Sequence, residues 1–174
     1  MSKENVQSCF PSLREQPASQ STFIVQLVFA IAIGFAIVSC TGNKVYDKYA
    51  HTPVSGWEKN DTLKFNIPPI TERKLYSSEL GLRINGDYPF RGLTLIIEQT
   101  VYPSHKTKID TLNCSLHDTH GNSKGTGLSY YQYNFHITNM MLNKGDSLEV
   151  KIRHDMKREI LPGISDVGIM LSKH

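Results

Sequence analysis

The stretch that most constrains this chain is Phe23 to Cys40, FIVQLVFAIAIGFAIVSC, a long apolar run that stops on a cysteine. The seventeen residues from Phe23 to Ser39 carry no charge and a single strongly polar side chain, Gln26. As a helix rising about 1.5 Å per residue they come close to the roughly 30 Å of a bilayer core. A segment of this kind directs or anchors a chain, so the folded part is expected behind it.

Its last four residues, Ile37-Val38-Ser39-Cys40, resemble a bacterial lipobox. In that pattern an aliphatic residue and two small or short ones precede a cysteine; the signal is cut off before the cysteine and acyl chains are attached to it. Residues 1–39 then read as a lipoprotein signal peptide whose helix covers the apolar run. Cys40 is the lipidation site, residues 40–44 are lipid anchor and short tether, and residues 45–174 form one domain. Residues 1–22 make an atypical polar n-region, with Lys3 and Arg14 balanced by Glu4 and Glu15. The competing reading keeps the run as an uncleaved transmembrane anchor. Either way the remainder leaves the cytoplasm, and the lack of an acidic cluster after Cys40 favours a position facing the periplasm.

Removing residues 1–39 leaves 135 residues, enough for one domain with a modest core. The four charged residues lost cancel, so this part keeps the chain's formal charge of +3. Its lysines and arginines are scattered singly, which argues against a nucleic-acid partner. With Cys9 removed and Cys40 acylated, Cys114 stands alone and no intrachain disulfide can form, so packing must hold the domain. Cys114 at an alternating strand position reads as a small buried hydrophobe.

Period-two alternation recurs along this part. Leu63, Phe65 and Ile67 alternate with Lys64 and Asn66; Leu80, Leu82 and Ile84 do the same before a turn at Asn85-Gly86-Asp87. Leu93 to Tyr102 is the strongest strand and is expected to sit centrally, forming a hairpin with Ile109 to Leu116. Tyr131, Tyr133, Phe135 and Ile137 give another amphipathic strand, and strands around Leu148–Ile152 and Val167–Leu171 close the pattern. No helical periodicity is sustained after Cys40. The fold class expected is all-β, a single antiparallel β-sandwich of about seven or eight strands after an N-terminal signal helix.

Candidate chemistry concentrates in the long glycine-containing loop His117 to Gly127 and the tyrosine-rich strand after it. His117 and His120 flank Asp118, but nothing nearby completes a metal-ligand set, so these three are weak ligand-binding candidates and no metal or other cofactor is expected. Tyr130 lies on the face opposite Tyr131 and Tyr133 and could offer an aromatic ledge to a sugar or peptide. Gly125-Thr126-Gly127 lacks the helix a phosphate cradle needs. No Gly-x-Ser-x-Gly elbow occurs, and His154-Asp155 point to opposite faces of a strand. No catalytic residue can be assigned, and the chain is expected not to be an enzyme.

Several segments in order resemble one family: Gly56-Trp57, Asn85-Gly86-Asp87-Tyr88-Pro89-Phe90, Asp110-Thr111-Leu112, Leu116-His117-Asp118, Ile152-Arg153-His154-Asp155-Met156 and Gly163 to Ile169. Behind a lipobox cysteine, they resemble the gliding-motility lipoproteins of the GldH type from the Bacteroidota. The resemblance covers Cys40 to the C-terminus. It implies a lipid-anchored envelope protein, attached to a membrane through Cys40, that serves as a non-catalytic component or accessory of a gliding-motility or secretion machinery. Its expected partners are other envelope proteins of that machinery. The alternative is an envelope carbohydrate- or peptide-binding sandwich that uses Tyr130 with the His117–Gly127 loop.

Overall fold

The computed structural model describes residues 43–174. The apolar run, its expected signal helix and Cys40 lie outside the described residues. The strands are β1 (Lys44–His51), β2 (Trp57–Glu58), β3 (Leu63–Ile67), β4 (Lys74–Asn85), β5 (Gly92–Tyr102), β6 (Lys106–Ser115), β7 (Tyr130–Leu142), β8 (Ser147–His154), β9 (Ile160–Leu161) and β10 (Ile164–Lys173). Eight long strands form two four-stranded antiparallel sheets, β1-β10-β4-β7 and β3-β8-β5-β6, while β2 and β9 make a two-residue ladder. The chain is thus the expected all-β sandwich.

The two inner faces interdigitate as the alternation requires. Leu80, Leu82 and Ile84 of β4 with Val167, Ile169 and Leu171 of β10 belong to one buried cluster with Leu93, Leu95 and Ile97 of β5 and Val150 and Ile152 of β8. Each such side chain contributes about 1.5–3 kcal/mol by leaving water, which is how a domain without a disulfide is held. Trp57 is completely buried, its indole N–H donating to the Asp61 carbonyl at 3.0 Å. β5 sits inside its sheet and pairs with β6 as a hairpin. β10 is not peripheral: it inserts between β1 and β4.

In β7 the expected alternation holds through Phe135. The register then slips, since Ser78 pairs with Thr138 but Glu79 with His136, leaving Ile137 unpaired. Beyond this bulge the inward row passes to Thr138, Met140 and Leu142.

The outer face of the β1-β10-β4-β7 sheet carries two cross-strand rows, His51-Asp166-Arg83-Gln132 and Tyr49-Gly168-Gly81-Asn134. At the same end of the sheet the β9–β10 turn closes on the β4–β5 turn. Asn85 donates its backbone N–H to the Gly163 carbonyl (2.8 Å), and Gly163 adopts φ 80°. A Cβ there would collide with the Tyr88 nitrogen, so only glycine lets the two turns meet.

Candidate functional site

The loop residues singled out from the sequence are largely engaged with one another. One Asp118 carboxylate oxygen accepts the backbone N–H groups of His120 and Asn122, both at 2.8 Å, and the other accepts the Asn122 side-chain amide at 3.1 Å. These bonds, Asn122's backbone N–H foremost, hold the Asp118 carboxyl below the usual carboxylate range. Asp118 thereby shapes the loop. The His120 side chain is 83% exposed and its Nδ1 lies 3.3 Å from the Thr119 hydroxyl.

His117 turns the other way. It pairs with Ser123 across the loop and lines a cavity of about 280 Å³ with Asn85, Tyr88, Tyr131 and Tyr133. Ser123 shares a 2.7 Å hydrogen bond with the Tyr133 hydroxyl, and Thr126 pairs with Gln132, so the loop is strapped to β7. The two imidazoles therefore do not converge. Among the described residues no group of three or more His, Cys, Asp or Glu side chains is placed to hold a metal ion.

Tyr130 sits elsewhere, on the outer face of β7 opposite Asn85, and is 54% exposed. It lines a second, larger cavity of about 430 Å³ built from four separate segments: the ends of β1 and β4, the start of β7 and the β9–β10 turn. Tyr130 and His117 thus open onto different cavities, and Asp118 and His120 line neither.

One residue lining the larger cavity, His51, belongs to a pair that sequence reading missed. Nδ1 of His51 contacts Oδ1 of Asp166. The Asp166 residue is 4% exposed, whereas the His51 side chain is 85% exposed. Ser165 donates to the other Asp166 oxygen at 2.8 Å, and the Arg83 guanidinium lies 3.9 Å from it. A buried carboxylate thus abuts an open imidazole at the end of the sheet. The signal available was Asp166 itself, an acid in the run Ile164 to Leu171 whose other residues save Ser165 are apolar, where a buried acid demands partners.

The free cysteine is withdrawn into the core. Cys114 is 2% exposed, and burial pushes its thiol up to about 12. Burial also raises the Tyr88 hydroxyl strongly, and the Tyr88 hydroxyl donates to the Gly92 carbonyl at 2.8 Å.

A family model described as GldH lipoprotein matches residues 44–171. The chain is 30% identical over 152 residues to the gliding motility lipoprotein GldH of Flavobacterium johnsoniae, covering 79% of this chain and 89% of that protein. It is 27% identical over 163 residues to the gliding motility lipoprotein GldH homolog of Christiangramia forsetii, covering 88% and 98%. Among solved structures, a family GH115 4-O-methyl-α-glucuronidase overlaps with a TM-score of 0.40 at 14% identity, over 75% of this chain and 18% of that one. Because the family match begins at the first residue of β1 and ends inside β10, it takes in the whole sandwich, and the chain belongs to the GldH lipoprotein family.

Proposed function

We propose that the protein is a lipid-anchored envelope protein acting without catalysis, as a component or accessory of a gliding-motility or secretion machinery. The family match over residues 44–171 carries the reading, because the relatives bearing this domain are named gliding motility lipoproteins. Family membership makes the chain a lipoprotein tied to gliding motility and places it at the cell envelope. Acylation of Cys40, a position facing the periplasm and contact with other motility or secretion proteins are the finer parts of the proposal. The engaged state of Asp118 and the burial of Cys114 support the non-catalytic part.

Deleting the gene is expected to abolish spreading over surfaces in a gliding host, or to lower secreted protein in one that does not glide. The intact gene should restore the phenotype. A Cys40→Ala copy should neither restore it nor incorporate radiolabelled palmitate. Normal spreading and secretion in the deletion strain would end the machinery reading, and undiminished palmitate label on the Cys40→Ala protein would end the anchor reading.

A further inference from the structure

We propose that the 430 Å³ cavity at the His51 end of the sandwich binds a short neutral saccharide, with Tyr130 as the stacking platform. This goes beyond the anchored-component reading and does not depend on it. The cavity falls within the size range of small-ligand sites and is framed by Pro53 and Pro162. Asn85 and Tyr130 are directly paired across β4 and β7, so their outward side chains stand roughly 5 Å apart at Cβ. Asp87 lines the same cavity, its backbone N–H fixed by the Asn85 side-chain oxygen at 3.0 Å. His51 enters from β1 with its ring beside buried Asp166.

The mixture of polar groups selects the ligand class. Sugar hydroxyls both donate and accept. The Asp87 carboxylate only accepts, whereas the Asn85 amide and Tyr130 hydroxyl do both, and the His51 imidazole adds ring nitrogens. A half-exposed tyrosine adds an apolar face for the C–H side of a sugar ring. An anion such as phosphate would meet the Asp87 carboxylate in the lining. An ammonium group would find a single carboxylate in the lining, Asp87, with the Arg83 guanidinium lying behind the His51–Asp166 pair.

Position makes the site reachable. The chain enters the sandwich at Lys44, and β1 then runs eight residues, about 25 Å, to His51. The cavity therefore opens at the end of the domain away from that entry. His117 and its smaller cavity take no part.

The test uses the full-length lipoprotein in detergent on a printed array of neutral oligosaccharides, followed by titration of the best-retained one. Retention of at least one oligosaccharide is expected. Tyr130→Ala and Asp87→Asn should each weaken it at least tenfold, while Tyr130→Trp and His117→Ala leave it within twofold. Val54→Arg, at a fully exposed position on the rim, should block binding with the melting temperature unchanged, which separates loss of the site from loss of the fold. No retained oligosaccharide, or retention that survives both Tyr130→Ala and Asp87→Asn, overturns the proposal. So does displacement by inorganic phosphate or by a lysine-rich peptide, the last of which would point to a basic protein partner.

Discussion

His154 is fully buried beside Trp57, the two rings edge to face with centroids 5.3 Å apart. Its Nε2 lies 3.2 Å from the Trp57 carbonyl oxygen and must donate to it, which leaves Nδ1 to accept the Met156 N–H at 3.5 Å. The neutral ring meets both demands. A second proton would place a donor against a donor inside the core. Burial, reinforced by the charge of Lys59, accordingly lowers the His154 pKa below its ordinary 6.5. The sign of the linkage follows: as pH falls through 6.5 the unfolded chain takes up a proton that the folded one refuses, so acid weakens the fold until the lowered value is passed. Denaturant titrations at pH 7.5 and at pH 5 should show the wild type losing stability, by at most about 1.4 kcal/mol for each pH unit crossed. His154→Gln, which can still donate one bond and accept the other, should lose less over the same interval. Equal losses in the two proteins would remove His154 as the source. The neighbouring Asp155 is exposed, so period-two alternation was enough to separate this pair before any fold was known.

At the scale of the element, the outer face of the β1-β10-β4-β7 sheet shows what alternation cannot convey. Tyr49 of the edge strand β1 lies flat across Gly168 and Gly81, whose missing side chains make room for its ring. Arg83 stacks on that ring at 4.3 Å and donates to Gln132, and the Gln132 amide in turn donates to the Tyr49 hydroxyl at 2.9 Å. One tyrosine thereby ties an edge strand to the three strands beyond it. Glycine in a strand interior weakens it unless a close neighbour uses the space, and Tyr49 is that neighbour. Gly168→Thr should destabilise the wild type by about 1–3 kcal/mol through overpacking. In a Tyr49→Ala background the same change should cost far less, because threonine suits a strand once the ring is gone. A double-mutant cycle by chemical denaturation reads the coupling directly, and additive effects would show that the ring and the glycines are independent. The strands themselves, the β5–β6 hairpin and the inward rows of Leu93 to Ile97 and Tyr131 to Phe135 were legible because they depend on neighbours in sequence. Three features depend on register between distant segments, and no local pattern encodes them. They are the insertion of β10 between β1 and β4, the bulge at Ile137, and the cavity that draws His51, Asn85, Tyr130 and Pro162 together.

For the whole molecule the central question is what replaces the covalent cross-links that many small envelope domains rely on. Cys114 is the free cysteine among the described residues, and it lies in the core opposite Leu93 of β5. Its thiol is held mostly protonated by burial, and only the thiolate attacks an alkylating or disulfide reagent. Reaction at Cys114 therefore requires β6 to leave β5 and the core to open. If the sandwich unfolds as one cooperative unit, the opening that exposes Cys114 is the global one. Site-resolved mass spectrometry of protein pulsed with iodoacetamide should find the Cys114 peptide unmodified in native buffer, then modified along the same denaturant curve that circular dichroism traces. Added reductant should leave that curve in place, because no disulfide contributes to it. Alkylation of Cys114 well below the unfolding midpoint would instead make the edge strand β6 a separate unit, peeling from β5 while the rest of the sandwich stays folded. That outcome has a structural basis against it: the Lys108 ammonium on β6 reaches across to Thr138 of β7, and the same ammonium holds Asp110 at 3.2 Å, so the edge of one sheet is pinned to the edge of the other.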